Sequence, residues 1–302
     1  MSTAYIWVAL LSAGTFGIVT VLDKRLASYN MPSLVAFYMG VMISLLGYAT
    51  VSIIITGIPQ HLPPDRFIAA IVSGLCWGGA LAMMFWGYKL EEASRASAII
   101  HTFPVFVAIL AVVFLGETLG LGQWIAIFIV VSGAITISLW GASDGRLIRF
   151  NKGLPVLLSA SLFTALALLA GKYALEELPM WFVYSLRNYG MATIFLFLWR
   201  PGAFRQLYKA LTNKQTLIVL LLAEFILAPL AVMLNVLAIK LGPVSLVSTV
   251  TATRPVFVFV FGSILSISAI KLLDEPLEIK TLSVKLGAII MIVAGIAALT
   301  LL

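Results

Sequence analysis

The sequence is short of almost everything a water-soluble chain of its length relies on. Only 10% of its 302 residues are charged, and 12 are acidic. That is too little polar surface to cover a globule in water, which excludes the soluble classes. There is a single cysteine, Cys76, inside an apolar run. It excludes an internal disulfide and any metal site built on thiolates. No HExxH, GxSxG or GxxxxGK[ST] occurs, and no pair of acids has a histidine close by. Intramembrane proteolysis, serine hydrolysis and ATP-driven pumping therefore lack their motifs; the expectation is a non-enzyme with no cofactor and no metal. The first apolar run has neither a basic leader nor a small-residue cleavage pattern, so it reads as a retained helix.

What the chain has instead is hydrocarbon. Hydrophobic residues make up 62% and mean hydropathy is +1.11. The apolar residues fall in runs of about 18 to 25, enough to cross a bilayer as helices. Ten spans are predicted, at 3–22, 33–56, 66–86, 94–115, 121–140, 154–171, 180–199, 216–238, 244–272 and 281–301. Asn30-Met31-Pro32, Gly57 to Pro64, Gly141 to Lys152, Arg200-Pro201-Gly202 and Leu241-Gly242-Pro243 punctuate them. No connection is long enough for a soluble domain. The net charge of +7 then reports topology rather than nucleic-acid binding.

The chain repeats itself. Lys240 to Phe257, KLGPVSLVSTVTATRPVF, echoes Lys89 to Phe106, KLEEASRASAIIHTFPVF, at a distance of 151 residues, half the length. Lys, two Ser and the Pro-Val-Phe triplet coincide. Ser12-Ala13 and Phe16 recur as Ser159-Ala160 and Phe163, and Pro32 as Pro179. The fold class expected is an all-α membrane protein, ten transmembrane helices as two inverted five-helix repeats (residues 1–145 and 150–302), because an odd number of spans turns the second copy over. Lys and Arg counting gives fourteen on one set of connections against three (Arg66, Lys172, Lys240) on the set that includes both termini. That places both termini outside the cytoplasm, in a cell (inner) membrane.

Inverted repeats are the recurrent plan of secondary transporters. The five-plus-five layout, the prolines midway along the fourth and ninth spans, and the turn Leu115-Gly116-Glu117 resemble the EamA family of the drug/metabolite transporter superfamily. Leu273-Asp274-Glu275 stands where the matching turn of the second half is expected. The resemblance implies transport by alternating access, with export of amino acids or related metabolites as the commonest activity. It departs in two respects: the first span lacks a Trp-Gly, and members are often drawn with cytoplasmic termini.

Ionisable residues within spans are costly and usually face a cavity. Arg187 lies in the seventh span with Tyr184 one turn away, and Arg254 precedes Pro255 in the ninth; both arginines favour a substrate with an anionic group. The resemblance adds weight to Arg187, since an arginine is common there. Glu224 is the carboxylate well inside a span, three turns from Asn235, with Pro229 between them. It reads either as a proton carrier or as one half of an ion pair with Arg187 or Arg254. His101, three residues before Pro104, is either a relay or a hydrogen-bonded structural residue. Ser245, Ser248, Thr249 and Ala252 form a small, hydroxylated stripe that serves packing or lines a polar path. Trp77, beside Gly74, Gly78 and Gly79, either packs or stacks a substrate. The candidate substrate-binding set is thus Arg187, Tyr184, Arg254, Trp77, Ser248 and Asn235, with Glu224 and His101 for proton coupling and Pro104 and Pro255 as hinges.

The partners expected are a small-molecule substrate and the lipid bilayer, with no nucleic acid, for a monomer or homodimer. Two alternatives stay open: a flippase for a lipid-linked phosphate, which needs a basic cavity open sideways to lipid, and a non-transporting membrane scaffold.

Overall fold

The computed structural model describes residues 4–26, 30–90, 99–139, 153–266 and 279–301, and within them the chain is helical with no strand. The helices are α1 (Ala4–Arg25), α2 (Leu34–Thr56), α3 (Pro64–Leu90), α4 (Phe103–Leu115), α5 (Leu121–Leu139), α6 (Gly153–Leu175) and α7 (Met180–Phe197). They continue as α8 (Ala203–Leu211), α9 (Lys214–Leu220), a π-helical turn at Leu221–Leu227, α10 (Ala228–Leu241), α11 (Val244–Thr251), α12 (Arg254–Ser266) and α13 (Ile279–Leu301). The Gly141 to Lys152 connection, the Leu273-Asp274-Glu275 turn, and Ser94 and Ser97 of the echo lie outside the described residues.

Helix ends follow local chemistry. Ser33 Oγ accepts from the Ala36 N–H at 3.2 Å to start α2, and Asn213 Oδ1 accepts from Gln215 N–H at 2.9 Å to start α9. Gly116, at φ +65°, closes α4 in the left-handed conformation that a side chain would oppose.

Among the described residues, five helical stretches are long and apolar enough to cross a membrane: Ala4–Asp23, Leu34–Thr56, Pro64–Gly87, Gly153–Leu175 and Lys214–Leu241. The distribution of side chains fits lipid as the solvent. Ile54, Ile55, Phe114, Leu121 and Phe197 are exposed, while the interior is filled by Ala9, Ala13, Ser12, Ala165, Ala167 and Ser161. Small residues inside let helices approach closely, which is how association proceeds where apolar burial gives no advantage over lipid. The α3–α7 crossing is the clearest case: a Cβ on Gly74 would stand 2.8 Å from Arg187 Cα, and one on Gly190 2.8 Å from Leu75 N.

α3 packs on α6 and α7, α2 on α7, α1 on α10, α11 and α12, α4 on α6, and α5 on α13. Two sequence expectations change. The ninth span is broken rather than continuous: α11 ends at Thr251, residues 252–253 form a turn, and α12 restarts with Pro255 in its first turn. The fourth span has the same turn at 101–102, with Pro104 opening α4. Proline lacks an N–H and fits a helix only where none is required, so each marks a new start. The second change is α8, which occupies a stretch read as a connection.

Candidate functional site

The interior cation is Arg187. It stands in the middle of α7, fully buried, its guanidinium carbon 4.8 Å from the centre of the Trp77 ring on α3. Gly171 of α6 forms the adjoining wall; a Cβ there would be 3.8 Å from Arg187 Nη1 and 3.0 Å from Ser73 Oγ. None of the three guanidinium nitrogens has a hydrogen-bond partner among the described residues, and no carboxylate pairs with it. Its neighbour Asn188 is buried with both amide atoms unpartnered, and Asn235 on α10 is buried with Oδ1 unpartnered. Burying an unpaired cation costs several kcal/mol, whereas a ring contact returns roughly 2 kcal/mol. Among the described residues no group balances this charge.

Tyr184, one turn from Arg187, donates to the Pro229 carbonyl at 3.3 Å and thereby ties α7 to α10. The backbone it meets is unusual. Pro229 has no N–H to give the Phe225 carbonyl, and the π-helical turn at 221–227 lengthens the hydrogen-bond spacing around Glu224. Hydroxyls from α2 take up what is released: Ser44 donates to the Glu224 carbonyl and Tyr48 to the Phe225 carbonyl. Ser12 of α1 donates to Ala231 O at 2.9 Å. Four neighbouring hydroxyls thus hold this segment open.

The Glu224 side chain is buried and forms no ion pair with Arg187. Its carboxyl lies within hydrogen-bonding reach of the Asp23 carboxyl, in the last turn of α1, and Arg254 lies close enough to Asp23 to act on its charge. Two carboxyls in such contact need a shared proton to avoid repulsion. Asp23 escaped the sequence reading because the predicted first span stops one residue short of it. The guanidinium of Arg254 also sits 4.1 Å from the centre of the Phe16 ring.

The remaining predicted residues separate. Ser248 is fully buried on α11 and donates to Ser245 O at 2.8 Å, within its own helix; Thr249 does the same. Their donors are spent on the backbone, as packing stripes do. His101 is buried at the turn before α4, away from the Asp23–Glu224 pair in sequence and element. Trp77, Tyr184 and Arg187 are brought together; Asn235 is buried on α10.

Sequence reasoning also missed Glu117 as a contact. Its carboxylate accepts from the N–H groups of Val244 (2.7 Å) and Ser245 (3.3 Å) and from the Ser245 hydroxyl, capping α11. Lys172 caps the other side of that turn, donating to Ile239 O at 3.0 Å and Gly242 O at 2.8 Å. Both charges sit where the helix dipoles favour them.

The model of the EamA-like transporter family matches residues 3–139. That segment, a little under half of the chain, is similar to the EamA-like transporter family. A curated relative from Sinorhizobium sp., described as an uncharacterized transporter in the cobO 3′ region, is 30% identical over 82 residues. The match covers 27% of this chain and 58% of that relative, so the chain spans a little over half its length. A protein of known crystal structure shares the fold over 99% of this chain and 95% of its own, with a TM-score of 0.70 at 16% identity. The apolar spans and the matched segment are those of a multi-pass membrane protein. The EamA resemblance at Leu115-Gly116-Glu117 falls inside the matched segment.

Proposed function

We propose that this EamA-like chain is a secondary transporter that moves a small metabolite bearing a carboxylate or phosphate, by alternating access between two inverted five-span halves. The observation that carries the proposal is Arg187: a fully buried guanidinium with no anionic partner among the described residues, set over the Trp77 ring, with the polar side chain of Asn188 buried next to it in the chain. An anion arriving beside α3 and α7 supplies the missing charge, and the Asn188 Nδ2 amide is a donor on the same helix as Arg187. Export of an amino acid or related compound is the direction the family resemblance favours, with both termini outside the cytoplasm by the charge count.

The ten-span, two-fold arrangement is supported by who packs with whom. Shift each span by five and α3 on α6 becomes α10 on α1; α4 on α6 becomes α11 and α12 on α1; α2–α7 and α5–α13 map onto themselves. The turns at 101–102 and 252–253 coincide under the 151-residue echo, so Pro104 and Pro255 are matching hinge candidates. Broken helices at matching places are what transporter sites are built from.

Proton coupling through Glu224 draws support from Asp23. A proton held between the two carboxyls, beside the segment that Tyr184 ties to the Arg187 helix, links protonation to the substrate site. Glu224→Gln and Asp23→Asn should each abolish pH-gradient-driven flux in proteoliposomes; intact gradient-driven flux in both variants sinks the coupling.

The flippase reading requires a basic cavity open to lipid. The lateral groove between α1 and α12, with a volume of ≈ 510 Å³, is lined by Trp7, Leu10, Leu11, Gly14, Phe257 and Phe261 among others, none of them charged. That favours a soluble anion. The deciding experiment is thermal stabilisation by amino acids, organic acids, sugar phosphates and lipid phosphates, with parent and Arg187→Ala. A ligand that raises the melting temperature of the parent alone assigns the substrate class. A panel that shifts neither, with flux unaffected by Arg187→Ala, returns the protein to the scaffold reading.

A further inference from the structure

α8 is short, and its side chains are sorted into three stripes. Successive residues turn by about 100°. With Ala203 at zero, Leu207 falls at about 40°, and both are buried, Leu207 against Gly40 of α2. Phe204 and Tyr208 follow at about 100° and 140°, exposed to 45% and 75%. Arg205 and Lys209 follow at about 200° and 240°, both exposed. The order is protein, aromatic, cation. Ser33 Oγ donates to Gln206 Oε1 from the opposite flank and fixes the rotation of the helix on α2.

That order is what a helix lying in a membrane interface requires: one face on protein, aromatic rings at the boundary between headgroup and acyl chain, and cations at the phosphates. A water-facing helix has no reason to keep Tyr208 three-quarters exposed beside its protein contact. The depth agrees, since α8 is followed by Lys214, the first residue of a candidate membrane span. Arg200 and Lys214 are exposed on either side, and no acidic residue occurs between Glu177 and Glu224. The segment from Arg200 to Lys214 carries charge of one sign only.

We infer that α8 is a docking site for anionic phospholipid headgroups, whose phosphates are held by Arg205 and Lys209 with Arg200 and Lys214 flanking, while Phe204 and Tyr208 seat at the acyl boundary. The site is independent of whatever the protein transports. Because Leu207 packs near Gly40, where the Leu220 side chain also rests, a bound lipid steadies the contact of α2 with the start of the Glu224 segment.

The test uses the full chain in nanodiscs of phosphatidylcholine alone or mixed with phosphatidylglycerol, reading hydrogen exchange of residues 203–211 and the melting temperature. Phosphatidylglycerol should slow exchange in this segment and raise the melting temperature, and high salt should cancel both gains. Each cation should be worth about fivefold in lipid affinity. The double variant R205Q/K209Q should therefore lose the gain while melting like the parent in phosphatidylcholine. If the double variant is recovered poorly, Lys209→Gln alone must lose about fivefold and Arg205→Lys must behave as the parent. Equal slowing in parent and double variant, or none in the parent, overturns the inference. Slowing by an acidic peptide but not by phosphatidylglycerol assigns the surface to a protein partner instead.

Discussion

Arg66 and Arg187 stand on helices that pack together, yet the fold treats them in opposite ways. Arg66, near the start of α3, has Asp65 at 3.4 Å, Glu176 at 2.5 Å, Glu177 at 2.9 Å and the Tyr173 ring at 3.5 Å, and it clasps α3 to the end of α6. Arg187 has the Trp77 ring and, among the described residues, no acid. The partners of Arg66 are half exposed, so water shares the cost of that cluster and removing one member leaves little exposed need. Around Arg187 no water-facing surface is available to share it. A cation saturated with acids is a fastener. A cation kept buried without them is what we propose as the receptor, because its unmet need is what a ligand would satisfy.

The comparison breaks most sharply at Arg187→Met. Ligand binding should fall by about 2–5 kcal/mol, with flux lost. The ligand-free protein should melt at the same temperature or higher, since a buried unpaired charge has gone. A large loss of ligand-free stability would instead make Arg187 a fastener like Arg66. Next in size is Gly74→Ala, which pushes α3 off the Arg187 backbone and should cost about 1–3 kcal/mol of stability by denaturant titration, lowering flux without altering ligand preference. Glu117→Gln removes the charge at the start of α11 and should cost about 1 kcal/mol, read as a melting shift that persists in the ligand-bound protein. Arg66→Gln should be the smallest: a modest melting change that shrinks with added salt, and unchanged flux. If Arg66→Gln abolishes flux, the two arginines are not the separable cases drawn above.

How much was legible follows from the range of each interaction. Membrane class shows in run length and composition, because crossing a bilayer is a demand on consecutive residues. The helix restarts at Pro104 and Pro255 were legible as special points because proline's missing N–H is a local fact, although the full break at 252–253 was not foreseen. Arg187 was legible as a charge in an apolar run, and so was Glu224. Which partners they lack or find was not. Glu224 alone gave no hint that its neighbour would be Asp23 rather than Arg187, and the π-helical turn that presents it has no signature in composition. The hydroxyl of Ser248 fitted a packing stripe better than a polar path, and its donation to Ser245 O, within its own helix, could not be read from the pattern.

The sequence by itself therefore determined the solvent, the approximate spans, the echo of one half in the other and the identity of the costly charges, all of which depend on neighbours along the chain. Tertiary structure alone decided that Trp77 lies over Arg187, that Asp23 meets Glu224, that Glu117 caps α11 and that α8 sorts its aromatic and basic residues around a buried edge. Each of these is a contact between residues remote in sequence. Helix packing through small side chains sets such contacts, and the residues themselves carry no local trace of them.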